Sequence, residues 1–556
     1  MQKRPNWLKE LCPAVFILAI WTCALLAIDP RGEFMVNDDW GYVKSLQALA
    51  DHGKIIATGW GHGGPALIVH ILWGWLFSSL FGYSMTTLRV SVLVMGVLGS
   101  FSLYFLLCSI KLPRYLALLG TLTLILNPLF LSQNFTFMTD ITFTSLAAMS
   151  LLVLHLGVEK DRRSFIYAGL ALATASILTR QIGIVIPLAF MASCWLIPQG
   201  RRLGPLRMTI AALLITFVPW LAWESFLSAT GSTPVTHHEV FNNIVGQFVR
   251  KGWRDYLVFI SSELFQVALC YSVFLVSPLV ILFSTIRPQK RSTTIAISLY
   301  FSCAALFEAA ILGGILRPPV VFFRNVITNF GIGPLLFKDT YLLHHARLTT
   351  LPTSIYYLLI ILTIPMLIFV LTLMVRFIQR LFRSSDISFI GFLSLLSSLL
   401  YLGIITLTGF HDRYLIPVCL FFIIWILTEW IRQPESPSYV SLAAALVLLA
   451  ANGSFAIAGT HDLMATKRAA LKAHNYLLLD LKVNPCHVDG GFEFNGYYCY
   501  QQNFESKPHL SWWWVDREDY LVALGTLPEY DTVKTYPIER WLGSDGAIYL
   551  LKPIHP

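Results

Sequence analysis

Thirteen stretches of this 556-residue chain are long and apolar enough to be read as membrane helices, and that repetition fixes the class. Residues 86–109, TTLRVSVLVMGVLGSFSLYFLLCS, are one of them. The others are 12–28, 114–131, 138–157, 164–179, 182–198, 207–227, 264–286, 293–314, 354–375, 389–408, 414–431 and 438–457. About 20 apolar residues at 1.5 Å each cross a hydrocarbon core of ~30 Å. No water is present there to solvate a bare backbone, so spans with self-satisfied hydrogen bonds are required. The expected fold is an all-α polytopic membrane protein of about thirteen spans. Hydrophobic residues make up 56% of the chain and charged ones 13%, against roughly 25% charged in soluble domains. The net charge of +9 is therefore no sign of nucleic-acid binding, because Lys and Arg concentrate in cytoplasmic loops of membrane proteins.

One further apolar run, 65–82 (PALIVHILWGWLFSSLFG), is also long enough to cross, and charge decides how to treat it. Basic clusters stand at Lys3/Arg4/Lys9, Lys111/Arg114, Lys160/Arg162/Arg163, Arg201/Arg202/Arg207, Arg287/Lys290/Arg291 and Arg376/Arg380/Arg383. If 65–82 stays out of the bilayer, all of them share the side of the N-terminus, as the positive-inside rule asks. The run is then a juxtamembrane helix on the outer face, with His70, Trp73 and Trp75 suited to the interface. This topology puts the 30–85 loop, a turn near 132–140, loops at 228–263 and 315–353, and the C-terminal region 461–556 outside.

Composition shifts after the last span. HNYLLLDLKVNPCHVDGGFEFNGYYCY (474–500) and SDGAIYLLKP (544–553) mix polar, aromatic and short β-like runs with glycine turns. A small α/β extracytoplasmic domain is expected over 461–556, beside a membrane domain over 1–460. Of nine cysteines, seven lie in or near apolar segments, where a thiol behaves as a small hydrophobe. Cys486 and Cys499 sit in the polar region and could pair outside the cytosol; the sequence does not decide it.

Several charges fall at the outer rim. FMVNDDWGYV (34–43) puts Asp38 and Asp39 just after the first apolar run. Adjacent like charges raise the pKa of at least one carboxyl unless a cation compensates, which suits a general base or a metal ligand. A solvated loop pair is the plain alternative. Asp140 in MTDITF opens a helix, where the dipole favours it and where Thr139 or Asp140 could act as a cap. Arg180 in LTRQIG interrupts an apolar run, and at a bilayer centre it would cost ~2.5–3.5 kcal/mol, so a turn at the outer surface is expected. GFHDRYLIPV (409–418) adds His411, Asp412 and Arg413; an exposed Asp412–Arg413 pair contributes little, whereas a guanidinium facing a cavity grips phosphate. TGWGHGGPAL (58–67) is a close-approach loop around His62, without the GxxxxGK[ST] pattern of an ATP-binding loop. His237, His238 and Glu239 could bind metal but read more simply as an ordinary loop. Acids and guanidinium groups together, at lipid level and away from cytosolic ATP, suit a substrate carried on a lipid phosphate.

The order of these motifs resembles the GT-C superfamily of polyprenyl-phosphate-dependent glycosyltransferases, in particular the protein O-mannosyltransferase and bacterial aminoarabinose transferase types. NDDWGY resembles its acidic pair, with Asp39 where Glu is usual. GHGGPALIVHILWGWLFSSLFG resembles its turn and outer juxtamembrane helix, and MTD, LTRQ and HDRYLIP resemble its later signatures. The resemblance covers roughly 10–430 and implies a GT-C-like membrane catalytic domain. It implies Asp38 and Asp39 as catalytic carboxylates, with Tyr42, Arg180 and Arg413 toward the donor phosphate, Tyr414 among the substrate-binding residues, and Asp140 and His62 lining the cavity. It further implies sugar transfer from a polyprenyl-phosphate donor to a lipid, glycan or protein, with inversion, in a bacterial inner membrane with the N-terminus cytoplasmic. A divalent metal stays open, as do the sugar and the acceptor. The alternative function class is a secondary transporter or lipid flippase; against it, no internal repeat is found and the charges cluster at one surface.

Overall fold

The computed structural model describes residues 6–55, 67–234, 236–262, 269–283, 290–312, 326–328, 331–345, 353–383, 387–408, 411–432 and 436–554. The chain is a polytopic α-helical membrane protein with a small C-terminal α/β region. Among the described residues, seven helices are long and apolar enough to cross a membrane: Met85–Ser109, Thr139–Glu159, Pro205–Ala229, Ile361–Arg383, Phe389–Leu407, Asp412–Trp430 and Tyr439–Asp480. Shorter apolar helices join them, including Cys12–Ile28, Arg163–Ile177 and Gln181–Leu196. The stretches expected at 264–286 and 293–314 fall partly outside the described residues.

The elements that matter for the site are α1 (Asn6–Ile28), α2 (Asp39–His52), α3 (Ile68–Phe81), α4 (Met85–Ser109), α5 (Thr139–Glu159), α6 (Arg163–Ile177), α7 (Ile416–Trp430), α8 (Tyr439–Asn475) and α9 (Phe492–Cys499). Helix α2 stops at Gly53, whose φ of 62° lets its N–H return to the Leu49 carbonyl. With 14 residues, α3 reaches ~21 Å, short of a ~30 Å core, and it shares that shortness with Arg163–Ile177, so loop charge rather than length sets it apart. Ser84 caps α4, its Oγ accepting the Thr87 N–H at 3.0 Å.

Several expected spans differ from what folds; the described part of 264–286 forms Cys270–Leu275 and Ser277–Phe283, and 354–375 runs on to Arg383. The 114–131 stretch breaks into Arg114–Ile125 and Pro128–Gln133. Asn127 Oδ1 accepts the Leu129 N–H at 2.9 Å and Pro128 takes the first helical position, so a second helix starts there. The last span runs past 457 as α8, whose 37 residues extend ~55 Å. A helix of that length outreaches the bilayer, and position 461 lies within it.

The extension of α8 is the platform for the C-terminal region. A four-stranded sheet follows, in the order β3 (Val488–Asp489), β4 (Tyr520–Ala523), β6 (Gly546–Pro553), β5 (Tyr530–Ile538); β1 (Ile327–Thr328) and β2 (Gly331–Ile332) form a separate hairpin. β3 and β4 run parallel and the other pairs antiparallel. Ala469, Ala470, Ala473 and Leu477 of the helix side pack on Val488, Val522, Ile548 and Leu550. Small alanines let the sheet approach the helix closely. Cys486 and Cys499 form a disulfide with Cα atoms 5.5 Å apart.

Three buried aspartates tie this region and the preceding loop to the bundle. Asp412 accepts the N–H groups of Val326 and Ile327, each at 2.9 Å. Asp339 accepts those of Leu524 (2.8 Å) and Gly525 (3.0 Å), and Asp462 those of Trp541 (2.7 Å) and Leu542 (2.9 Å). Each satisfies two backbone donors that burial would otherwise leave without partners.

Candidate active site

The turn between α1 and α2 is built around an unusual backbone. Asn37 has φ of 57°, a left-handed conformation that asparagine tolerates better than most side chains. Asp38 then occupies the N-cap position of α2 but makes no side-chain cap. Its carboxylate is used elsewhere: Oδ2 accepts from Arg413 Nη2 at 3.0 Å. Asp38 and Arg413 are both buried, 8% and 3% exposed.

Asp140 stands in the first turn of α5, behind an N-cap (Met138) that offers no side-chain cap. The helix dipole favours a carboxylate there, and Asp140 caps nothing; it meets two arginines instead. Arg180 Nη1 donates to its Oδ1, and Arg413 Nε lies 3.9 Å from its Oδ2. Arg180 sits where α6 has ended and a short 3-10 turn (Gln181–Ile184) begins, in the break expected from the sequence. Arg413 lies in a second 3-10 turn, Asp412–Leu415, just ahead of α7. Its neighbour Asp412 is fully buried and holds the Arg413 N–H at 2.9 Å, so the exposed ion pair considered from sequence is replaced by a buried backbone clamp.

Four helix termini thus meet at one end of the bundle. The Tyr414 ring lies under both guanidinium groups, 4.6 Å from Arg180 and 5.6 Å from Arg413. Tyr42, on the second turn of α2, is buried beside them. Burial, followed by the charge of Asp38, raises its hydroxyl pKa, while Arg413 and Arg180 oppose the rise. Two acids and two bases give a cluster with no net formal charge. Hydrogen bonding is incomplete: Arg413 Nε and Nη1 and Asp140 Oδ2 are buried without a hydrogen-bond partner. Buried donors without acceptors are costly, and an acceptor-rich group would satisfy those of Arg413.

Asp39 has different partners. Its Oδ1 accepts the Val36 N–H at 2.8 Å, and Oδ2 is buried without a hydrogen-bond partner. Burial lifts its carboxyl pKa to about 8, against the pull of Arg89, so it is chiefly protonated at neutral pH. Arg89, in the first turns of α4, donates to the Pro30 and Gly32 carbonyls at 2.9 and 2.7 Å and also to that of Phe34. It shapes the loop leading into the acidic turn. His70 is fully buried rather than interfacial, because its ring nitrogens find Thr142 Oγ1 (3.0 Å) and the Phe137 carbonyl (3.1 Å). Burial drops its pKa to about 4, and the neutral ring locks α3 onto the turn that carries Asp140.

The structure therefore gathers Asp38, Tyr42, Asp140, Arg180, Arg413 and Tyr414, with Asp39 next to them on its own partners. His62 and the side chains of His237, His238 and Glu239 lie outside the described residues. Among the described residues no three His, Cys, Asp or Glu side chains assemble as metal ligands. Asp38 and Asp140 are already engaged by arginines, a poor start for holding a dication. Sequence reasoning missed Arg89, Lys467 and Glu493. Arg89 carries the same signal as Arg180, a lone charge in an apolar run. Glu493 carries none: it donates its effect across 456 positions, accepting the Asn37 N–H at 3.1 Å.

Residues 65–223, under a third of the chain, match the family model described as dolichyl-phosphate-mannose-protein mannosyltransferase. That stretch contains Asp140 and Arg180. No curated protein matches the chain. Among solved structures, the chain is similar to ArnT from Cupriavidus metallidurans bound to undecaprenyl phosphate, at 14% identity and a TM-score of 0.42, over 86% of this chain and 73% of that one. ArnT from Cupriavidus metallidurans in the apo state matches at 15% identity and a TM-score of 0.36, over 88% of this chain and 84% of that one.

Proposed function

We propose that the chain is an integral membrane glycosyltransferase that moves a sugar from a polyprenyl-phosphate donor to a hydroxyl acceptor at the extracytoplasmic rim of a bacterial inner membrane. The observation that carries this reading is the buried Arg413 guanidinium, with two donors to spare, and the partly buried Arg180 guanidinium beside two carboxylates at one end of the bundle. The match of 65–223 to a dolichyl-phosphate-mannose-protein mannosyltransferase family supports it. In this reading 1–460 forms the catalytic membrane domain and 461–556 an outer domain. The Cys486–Cys499 disulfide supports placing that domain outside the cytosol.

The donor is a phosphodiester with one negative charge. Arg413, through its unused Nε and Nη1, and Arg180 hold the phosphate, while Tyr42 and Tyr414 flank it. Phosphate draws the guanidinium charge toward itself and loosens the electrostatic hold on Asp38, which becomes the better base. The acceptor oxygen attacks the anomeric carbon from the face opposite the phosphate. Its proton passes to Asp38, the bond from anomeric carbon to phosphate oxygen breaks, and the electron pair leaves with the polyprenyl phosphate. One displacement inverts the anomeric centre. The phosphate gains a second negative charge as the bond breaks, so the arginines bind the transition state more strongly than the donor. Asp39, protonated at neutral pH, shapes the turn and leaves the proton transfer to Asp38.

The test is turnover in proteoliposomes without an ion gradient. Undecaprenyl-phosphate-linked mannose, glucose and arabinose are offered in turn with a bacterial envelope extract as acceptor, and release of undecaprenyl phosphate is measured. Release of undecaprenyl phosphate that stops in Asp38→Asn supports the reading. Movement of intact lipid-linked sugar between leaflets, with no release, would identify a flippase instead.

A further inference from the structure

We infer that Glu493, anchored by Lys467, is a positioning residue for the acidic turn, so that the C-terminal region forms part of the catalytic apparatus. The inference rests on the reading of Asp38 above. Glu493 Oε1 accepts the Asn37 N–H at 3.1 Å and the Lys467 ammonium at 2.6 Å. Both side chains are almost fully buried, 4% exposed for Lys467 and 7% for Glu493. A buried carboxylate with an ammonium partner is fixed in place, because neither charge can swing to water without stranding the other. The atom it fixes belongs to the residue before Asp38, at the position whose left-handed backbone sets the direction of the turn.

A second set of contacts points the same way. Trp40, two residues after Asp38, is fully buried against Phe492, Tyr500 and Trp514, with ring centroids 5.5–6.0 Å apart. A Cβ on Gly496 would stand 2.5 Å from the Trp40 ring, so glycine alone allows α9 this close to α2. Gln47 of α2 donates to Tyr497 at 3.0 Å. The acidic turn is therefore gripped on both flanks by α9. Arg180 and Arg413 are on other elements and need none of these contacts. Loosening the grip predicts slower chemistry with donor binding kept.

Two double variants separate positioning from folding, each measured in nanodiscs. Glu493→Gln with Lys467→Met removes both charges and keeps an acceptor for the Asn37 N–H. Glu493→Leu with Lys467→Met removes the acceptor as well. Hydrogen exchange of the peptide covering 34–43 and steady-state kinetics with the lipid-linked sugar that the wild type converts fastest are read side by side. The Leu/Met variant is expected to exchange the Asn37 amide about tenfold faster and to lose about tenfold in kcat, with KM within about threefold. The Gln/Met variant stays within about threefold of wild type in both. Unchanged exchange in a folded Leu/Met variant, or faster exchange with unchanged kcat, overturns the inference. If the Leu/Met protein does not fold, Glu493→Asp takes its place, keeping the charge but drawing the carboxylate back from Asn37. A kcat loss at unchanged melting temperature then supports positioning, and wild-type kcat overturns it. Asp38→Asn separates the two readings. An inactive Asp38→Asn beside a fully active Leu/Met variant sinks only the Glu493 inference. An active Asp38→Asn, or no turnover of any donor offered, sinks the Asp38 reading, and exchange still decides the link to Asn37.

Discussion

Buried carboxylates occur in two settings in this protein, and their partners set them apart. Asp412, Asp339 and Asp462 each accept two backbone N–H groups from segments distant in sequence. Asp38 and Asp140 are held by guanidinium groups with no backbone clamp, and there Asp140 Oδ2 and Arg413 Nε and Nη1 are left without hydrogen-bond partners. Asp462, which also lies 3.6 Å from Arg540 Nε, keeps its two backbone donors. Carboxylates that accept rigid backbone donors hold the fold and have little freedom to take a proton. Those paired with side chains can exchange partners when an anion arrives. Burial alone does not separate the two settings; what sets Asp38 and Asp140 apart is that arginine side chains, rather than backbone amides, hold their carboxylates.

The sharpest way to break this comparison is to neutralise one member of each class. Asp38→Asn keeps shape and removes the base, and turnover is expected to fall by roughly 10²–10⁴-fold with the melting temperature nearly kept. Asp412→Asn should do the reverse. It turns one acceptor oxygen into an amide donor facing the N–H groups of Val326 and Ile327, costing ~1–3 kcal/mol of stability with activity retained at low temperature. Thermal unfolding and donor consumption, measured on both variants, read the contrast directly. A stable, active Asp38→Asn beside an inactive Asp412→Asn would invert it.

The arginines sharpen it further. Arg413→Lys keeps the charge but gives up the planar fork, so its ammonium cannot serve Asp38 and a phosphate at once. A loss of about 10²-fold in kcat/KM is expected, of the size seen when one donor to developing charge is removed. Arg180→Lys, where one guanidinium nitrogen already serves Asp140, should lose about tenfold. Equal losses would mean that the unsatisfied donors of Arg413 have no special part.

Legibility followed the range of the forces involved. Apolar length and loop charge are local properties, so the membrane class, a non-spanning helix within 65–82 and the acids and arginines of the cluster could be read directly. Arg180 announced itself because lipid makes a lone charge conspicuous. The break at Asn127–Pro128 was also local, and its cap and proline were legible signals that the apolar run masked. Partners were not legible. Nothing near Glu493 hints at Asn37, and nothing in HDRY shows that Asp412 clamps the 326–327 backbone while its neighbour reaches Asp38. Pairing across hundreds of residues is decided by how the bundle closes. The difference between Asp38 and Asp39, adjacent and alike in sequence, arises the same way: one side chain points to Arg413 and the other to the Val36 amide.

That adjacent pair supports the smallest and most specific prediction. Burial raises the Asp39 carboxyl from the ordinary 3.8 to about 8, so the folded state holds its proton more tightly than the unfolded chain does. The stabilisation from this proton is complete below about 3.8 and is lost as pH rises through about 8. Wild-type melting temperature should therefore fall between pH 6 and pH 9, and Asp39→Asn, which cannot ionise but can still accept the Val36 N–H, should fall less. Turnover at neutral pH should change by no more than about threefold, because Asn matches the protonated acid in shape and charge. A parallel decline of the two melting curves would mean that Asp39 is ionised in the fold, with Arg89 as its counter-ion. An inactive Asp39→Asn would return the base role to the pair.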